Sequence, residues 1–375
     1  MILKKNFFIL SNIFLVILIF FFFSGEYKYS PDVEKNIILA SNFIETDFDL
    51  KVLFNLLISQ RSIEANVIFS ILIYSMGILI DNLSLIFFLF NFTITILLFY
   101  LIKIDFIDNK IHKFYYHLFC YLYLLNPDLR LWQSFLLIDY FFSLLIFIHF
   151  RFLLKKNFLI SVLVLFLLLL LRPTSIFILP ITFTYIFFNY AYKINNRVQL
   201  NFLLLSTIMI FILFSVLFTN YSDLNFLGKK FIFYKDFNMA GLVIHDRWSV
   251  NFDIKNIFDL FLLFIIKFFA YHQFLSSDFS LVHNLYNLFY YIPYLLILLT
   301  IFKNIYYNRE YNFDNYYLLS FYFVIIYGAC HSILLIDFDW RYRMPLYIPI
   351  IISIVYFLHE KKFHEFLKKK IKIVK

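Results

Sequence analysis

Charge is scarce in this chain. Of 375 residues only 15% are Asp, Glu, Lys or Arg, whereas 63% are hydrophobic and 56 are Phe. That leaves too little polar surface to cover a water-soluble domain, and it excludes that class. Cysteine is nearly absent. Cys120 and Cys330 both fall in apolar stretches, with neither metal-ligand spacing nor the density of a disulfide framework. The basic residues are dispersed and gather mainly at the ends of apolar segments, so no basic patch points to nucleic acid. Five glycines and seven prolines punctuate the whole chain, and the prolines sit mainly at segment ends or in loops. No internal repeat is visible. A transporter usually shows a repeat and Gly/Pro-broken helices near mid-membrane, so it is the weaker alternative.

What the chain does have is a succession of long apolar runs. They predict an all-α polytopic membrane protein, one integral membrane domain over 1–375 with about ten transmembrane helices. Lys4 and Lys5 precede the apolar run 7–23, and no A-x-A-like cleavage site follows it. This run is read as an uncleaved first span with its N-terminus in the cytoplasm. Residues 24–82 form a first external loop with interfacial helices, including the apolar segment 67–80, which is short for a span. Spans are expected near 83–102, 114–126, 135–153, 157–171, 174–190 and 199–218. A second external segment, 219–283, holds the polar stretch 219–256 and another short apolar piece at 257–271. The last spans fall near 284–302, 316–335 and 344–358, and 359–375 is a basic cytoplasmic tail.

Charge sets the orientation. With the two short apolar segments kept outside, the inner loops hold Lys103, Lys110, Lys113, Arg151, Lys155, Lys156, Lys193, Arg197, Lys303 and Arg309. With both termini, the inner side then carries 19 of the 33 Lys/Arg residues but only six of the 24 acids. This is the positive-inside bias. It places Asp32, Glu34, Asp128, Arg130, Asp139, Arg172, Asp337, Asp339, Arg341 and Arg343 at the outer boundary. Ionisable residues at membrane depth cost roughly 2.5–3.5 kcal/mol each on insertion scales and tend to face cavities. The alternative for each arginine taken singly is interfacial snorkelling. For Asp32, placed just past a span by Pro31, the alternative is that it only helps to begin an interfacial helix.

Several motifs then fall in register. Ser30-Pro31-Asp32 follows the first span, with Ala40 a few turns on. Asn126-Pro127-Asp128 precedes Leu131-Trp132 and Asp139. Leu171-Arg172-Pro173-Thr174 joins two spans. His331, then Arg341-Tyr342-Arg343-Met344-Pro345 and Pro349, lead into the last. Together they resemble, in order over most of the chain, the GT-C-type glycosyltransferases. These are the polytopic enzymes related to protein mannosyltransferases (glycosyltransferase family 39, dolichyl-phosphate-mannose dependent) and to bacterial lipid A aminoarabinose transferases. The chain departs from that pattern where the second acid, Glu34, stands two residues from Asp32 rather than beside it. The stretch 219–256 matches no part of it.

The resemblance implies transfer of a sugar from a polyprenyl-phosphate donor to a lipid, glycan or protein acceptor on the outer face of a bacterial plasma membrane. A phosphate leaving group is stable as an anion and needs no general acid, unlike the alkoxide in glycoside hydrolysis. One base remains to be supplied, for which Asp32 is the candidate with Glu34 beside it. Arg172, Arg341 and Arg343 are candidates to hold the donor phosphate, since guanidinium matches phosphate oxygens bidentately. Asp128, Arg130, Asp139 and His331 are acceptor-side or structural candidates. Asp47-Phe48-Asp49 and Asp337-Phe338-Asp339 have the Asp-x-Asp form that holds metal–nucleotide elsewhere. Nucleotide sugars are normally absent outside the membrane, so no metal or other cofactor is assigned, and a divalent cation at these acids is the alternative. A polysaccharide polymerase or ligase is the nearer competing class. It would concentrate its catalytic residues in a late external loop, where 219–256 offers His245, Asp246 and Arg247.

Overall fold

A computed structural model gives the architecture. It describes residues 31–59, 65–133, 139–172, 280–306, 323–329 and 344–360, with isolated positions at 175, 178–179, 181–182, 262, 265, 268 and 320. Among these the structure is all helical: α1 (Pro31–Glu45), α2 (Leu50–Ser59), α3 (Ala65–Leu79), α4 (Leu83–Asp108), α5 (Lys113–Leu124), α6 (Pro127–Gln133), α7 (Asp139–Leu154), α8 (Phe158–Leu171), α9 (Leu281–Tyr306) and α10 (Met344–Glu360). The chain divides into two compact units, 1–173 with 354–375, and 174–353.

In the first unit, α1 begins at Pro31, whose fixed φ and missing N–H suit the first helical turn. Val33, Ala40 and Phe43 recur at helical spacing and, with Leu39, bury against Ile71, Ile73 and Tyr74 of α3 and Phe87 of α4. Tyr74 meets Phe87 edge-on at 5.1 Å. Helix α3 also packs on α8, and α7 and α8 form an antiparallel hairpin. Asn157 caps α8 through Ile160 N–H. Deep in the hairpin, His149 Nδ1 lies 2.9 Å from the Ser161 carbonyl and 3.0 Å from its Oγ.

Helix α4 is 26 residues long and apolar enough to cross a membrane. At 1.5 Å per residue it is about 39 Å long, more than a hydrocarbon core of about 30 Å. The segments 66–79, 158–171 and 344–360 are apolar but shorter. Along α8 the exposed residues Leu159, Val162, Leu163 and Phe166 make one apolar stripe, opposite the buried Ser161, Leu165 and Leu168.

Scarce glycine shapes the helix ends. Asp47, Asp81, Lys110 and Lys156 take left-handed conformations, with φ between 52° and 58°. Each follows a helix that closes with paired reverse bonds, such as Ile111 N–H to Phe106 O (2.8 Å) and Lys110 N–H to Ile107 O (3.0 Å). This is the Schellman arrangement, in which glycine normally stands at the left-handed position. After α1 the arrangement carries its usual apolar contact, the Phe43 and Phe48 rings lying 5.3 Å apart.

In the second unit, Ser280 caps α9 by accepting from His283 N–H at 3.2 Å. One face of α9 buries Asn287, Tyr290, Tyr294 and Ile297. The other exposes Leu285, Phe289, Ile292 and Leu299. The first part of α10 belongs to this unit, and its residues Leu346, Tyr347, Ile348, Ile350 and Ile351 are buried all round. Its last turns belong to the first unit. There Tyr356 packs on Phe106 at 5.6 Å, and Tyr115 Oη donates to the Leu358 carbonyl at 3.0 Å.

Candidate functional site

Two polar clusters sit at opposite ends of the α4, α7 and α8 bundle. At one end, Arg151 Nε donates to both carboxylate oxygens of Asp105 at 2.8 Å. Lys155 Nζ bridges Asp105 (3.0 Å) and Asp108 (2.9 Å). Burial acts to lower the Lys155 pKa, but its bonds to Asp108 and Asp105 outweigh that and raise it. At the other end, Tyr140 Oη lies 2.8 Å from Thr95 Oγ1. Ten residues of α4 and eleven of α7 separate these two ties, about 15 Å along each axis, so α4 and α7 run parallel.

The second cluster is the candidate site. Pro127 opens the short α6, and Asn126 Oδ1 caps it by accepting from Leu129 N–H at 2.9 Å. Helix α6 carries Asp128 and Arg130, both at least 97% buried. Arg130 lies over the Tyr123 ring at 5.7 Å and donates a long bond to Tyr140 Oη, 3.5 Å. Thr95 Oγ1 donates to the Asn91 carbonyl one turn back, 2.9 Å. The donors therefore run in one direction, from Arg130 to Tyr140 to Thr95 to the α4 backbone.

Next to Tyr140, Asp139 begins α7, where the helix dipole favours a carboxylate, and it pairs with Arg172. Arg172 caps the end of α8 and lies over the Phe142 ring at 5.3 Å. Consecutive residues of one helix thus hold the two buried guanidiniums, Arg130 and Arg172. Breaking a buried pair by removing one partner costs about 3–5 kcal/mol.

The predicted site residues distribute as follows. Arg130 and Arg172 meet α7 at Tyr140 and Asp139, and Asp128 is buried on α6 two residues before Arg130. Asp32 falls in the first turn of α1, and Glu34 is exposed on the same helix. Helix α1 packs on α3, which in turn packs on α8, the helix that Arg172 ends. His331, Arg341 and Arg343 lie outside the described residues, as do Asp337, Asp339 and the stretch 219–256. The other Asp-x-Asp, Asp47-Phe48-Asp49, forms the turn between α1 and α2. There Asp49 Oδ1 accepts from Lys51 N–H at 2.8 Å as a helix cap. Among the described residues no group of three or more His, Cys, Asp or Glu side chains could hold a metal ion.

Sequence reasoning passed over Tyr140, Thr95 and Asn91. The available signal was that Asn91 and Thr95 stand one helical turn apart on the same stripe of an apolar span. Asn91 is 1% exposed, and neither its Oδ1 nor its Nδ2 has a hydrogen-bond partner. A buried polar group in that state costs about 1–3 kcal/mol. No family model, no curated protein and no solved structure matches the chain, so the site is read from its own chemistry.

Proposed function

We propose that the chain is a multi-pass membrane glycosyltransferase of the GT-C type. It moves a sugar from a polyprenyl-phosphate donor to a lipid, glycan or protein acceptor at the outer face of a bacterial plasma membrane. The observation that carries this reading is the pair of buried arginines, Arg130 and Arg172, held at adjacent residues of α7. Guanidinium groups in a low-dielectric surrounding bind phosphate oxygens strongly and with fixed geometry. Donor phosphate would compete with Asp139 for Arg172, which gives the site two states, ion-paired and loaded.

In the reaction the acceptor hydroxyl attacks the anomeric carbon while the bond from that carbon to the phosphate oxygen breaks. Polyprenyl phosphate leaves as an anion, so no proton has to reach it. The acceptor proton passes to Asp32, the general base, which stands at the start of a helix linked to α8 through α3. Glu34, exposed two residues on, would tune that carboxylate rather than replace it. A single base acting on an in-line attack inverts the anomeric centre.

The test is transfer by the purified protein in lipid nanodiscs, supplied with radiolabelled polyprenyl-phosphate sugars and a membrane-lipid extract as acceptor. Label should move to a product that no longer releases sugar under the mild acid that cleaves the donor. Absence of such a product with every donor and acceptor fraction would overturn the reading.

A further inference from the structure

We infer that Asn91 is a sugar-hydroxyl contact, the residue through which this site distinguishes a glycosylated carrier lipid from the bare one. The inference rests on the glycosyl-transfer reading above. Polar residues in apolar spans often serve as interhelical glue. Thr95 does so through Tyr140, but the Asn91 amide, one turn away on the same stripe, has no hydrogen-bond partner among the described residues. Each such orphan in a folded protein calls for a cause.

Its chemistry narrows the ligand. Both the acceptor Oδ1 and the donor Nδ2 are unused, which suits a partner that donates and accepts at once. A carbohydrate hydroxyl, or two neighbouring ones, is such a partner, whereas phosphate only accepts. Asn126 offers a contrast. Its Oδ1 is taken by the α6 cap, and only Nδ2 is left over. The Asn91 amide also stands one turn from the chain of hydroxyls that starts from Arg130. A ligand reaching both would place its hydroxyls on α4 and its phosphate towards the arginines.

Asn91→Leu keeps the side chain's branching and heavy-atom count, removes the hydrogen bonding and favours the apolar span, so it should fold. The readout is the rise in melting temperature of the nanodisc-held protein with polyprenyl-phosphate glucose, mannose or N-acetylglucosamine, compared with polyprenyl phosphate alone. Wild type should gain more from at least one glycosylated lipid than from the bare lipid. Asn91→Leu should gain equally from both, and its KM for the preferred donor should rise about tenfold, the loss of roughly one buried hydrogen bond. A sugar-dependent gain that survives in Asn91→Leu would overturn the inference and leave the transfer reading standing. No sugar-dependent gain in wild type would also overturn it. A gain lost in Asn91→Leu, without transfer by wild type, would uphold the contact and reject the transferase.

Discussion

Arg172, the residue that ends α8, pairs with Asp139, the residue that begins α7, and so closes the far end of the hairpin that the 155–157 turn closes at the near end. The pair is buried, and neither member can be removed without exposing the other's charge to an apolar surrounding. A loss of activity in Arg172→Ala therefore does not by itself identify a phosphate ligand.

The two roles separate in a double-mutant cycle. Arg172→Gln and Asp139→Asn should each destabilise the protein by about 3 kcal/mol or more. The combined variant should return to within about 1 kcal/mol of wild type, read by thermal unfolding in detergent. Transfer at limiting donor should stay low in the combined variant, because the cation is gone. Recovery of both stability and transfer would make Arg172 a structural residue only.

At the opposite end, Arg151→Leu should cost about 1.5–3 kcal/mol, because it removes the buried guanidinium from Asp105 and leaves that carboxylate to Lys155 alone. Lys155→Met should cost less than about 1 kcal/mol, since Lys155 is 38% exposed and solvent screens it. The Lys155 pKa lies above its ordinary 10.5. Its contribution is thus complete below 10.5 and lost as pH rises through the raised value. Melting curves of Lys155→Met and wild type should differ by a constant amount through the neutral range and converge only at strongly alkaline pH.

The left-handed residues give a stabilising prediction. Lys110, at φ 53°, occupies a position that a Cβ makes unfavourable. Lys110→Gly should raise stability by up to about 1 kcal/mol, as the relief of left-handed strain exceeds glycine's entropy loss there. An unchanged or lower melting temperature would show that the lysine's interaction with the helix dipole offsets the strain.

Reporter fusions after Lys156 and Lys193 should read cytoplasmic, and fusions within 219–256 external, as the distribution of Lys and Arg requires. A cytoplasmic reading for 219–256 would scatter the proposed site to both faces.

Local punctuation made part of this structure legible. Pro31 marks the start of α1, and Arg172-Pro173 marks the end of α8. Helix α4 continues to Asp108, past the expected end of the span near residue 102. Asp105 and Asp108 resemble a loop until the partners Arg151 and Lys155, more than forty positions later, are brought beside them. A separation of 33 positions likewise hid the Asp139–Arg172 pair. Charge placed both residues at one boundary, but nothing local says that they touch. Asp47-Phe48-Asp49 shows the converse case, a motif with a chemical precedent that here makes a turn and a cap.

Asp32 carries the central claim. Asp32→Asn keeps the shape of the side chain and removes its basicity, so it should insert and bind the polyprenyl-phosphate sugar as wild type does. Its rate of radiolabelled sugar transfer, at matched protein levels in nanodiscs, should fall by about 10²–10⁴-fold, the usual contribution of a positioned base. Glu34→Gln, the companion change, should fall by less. Transfer by Asp32→Asn at the wild-type rate would contradict the account.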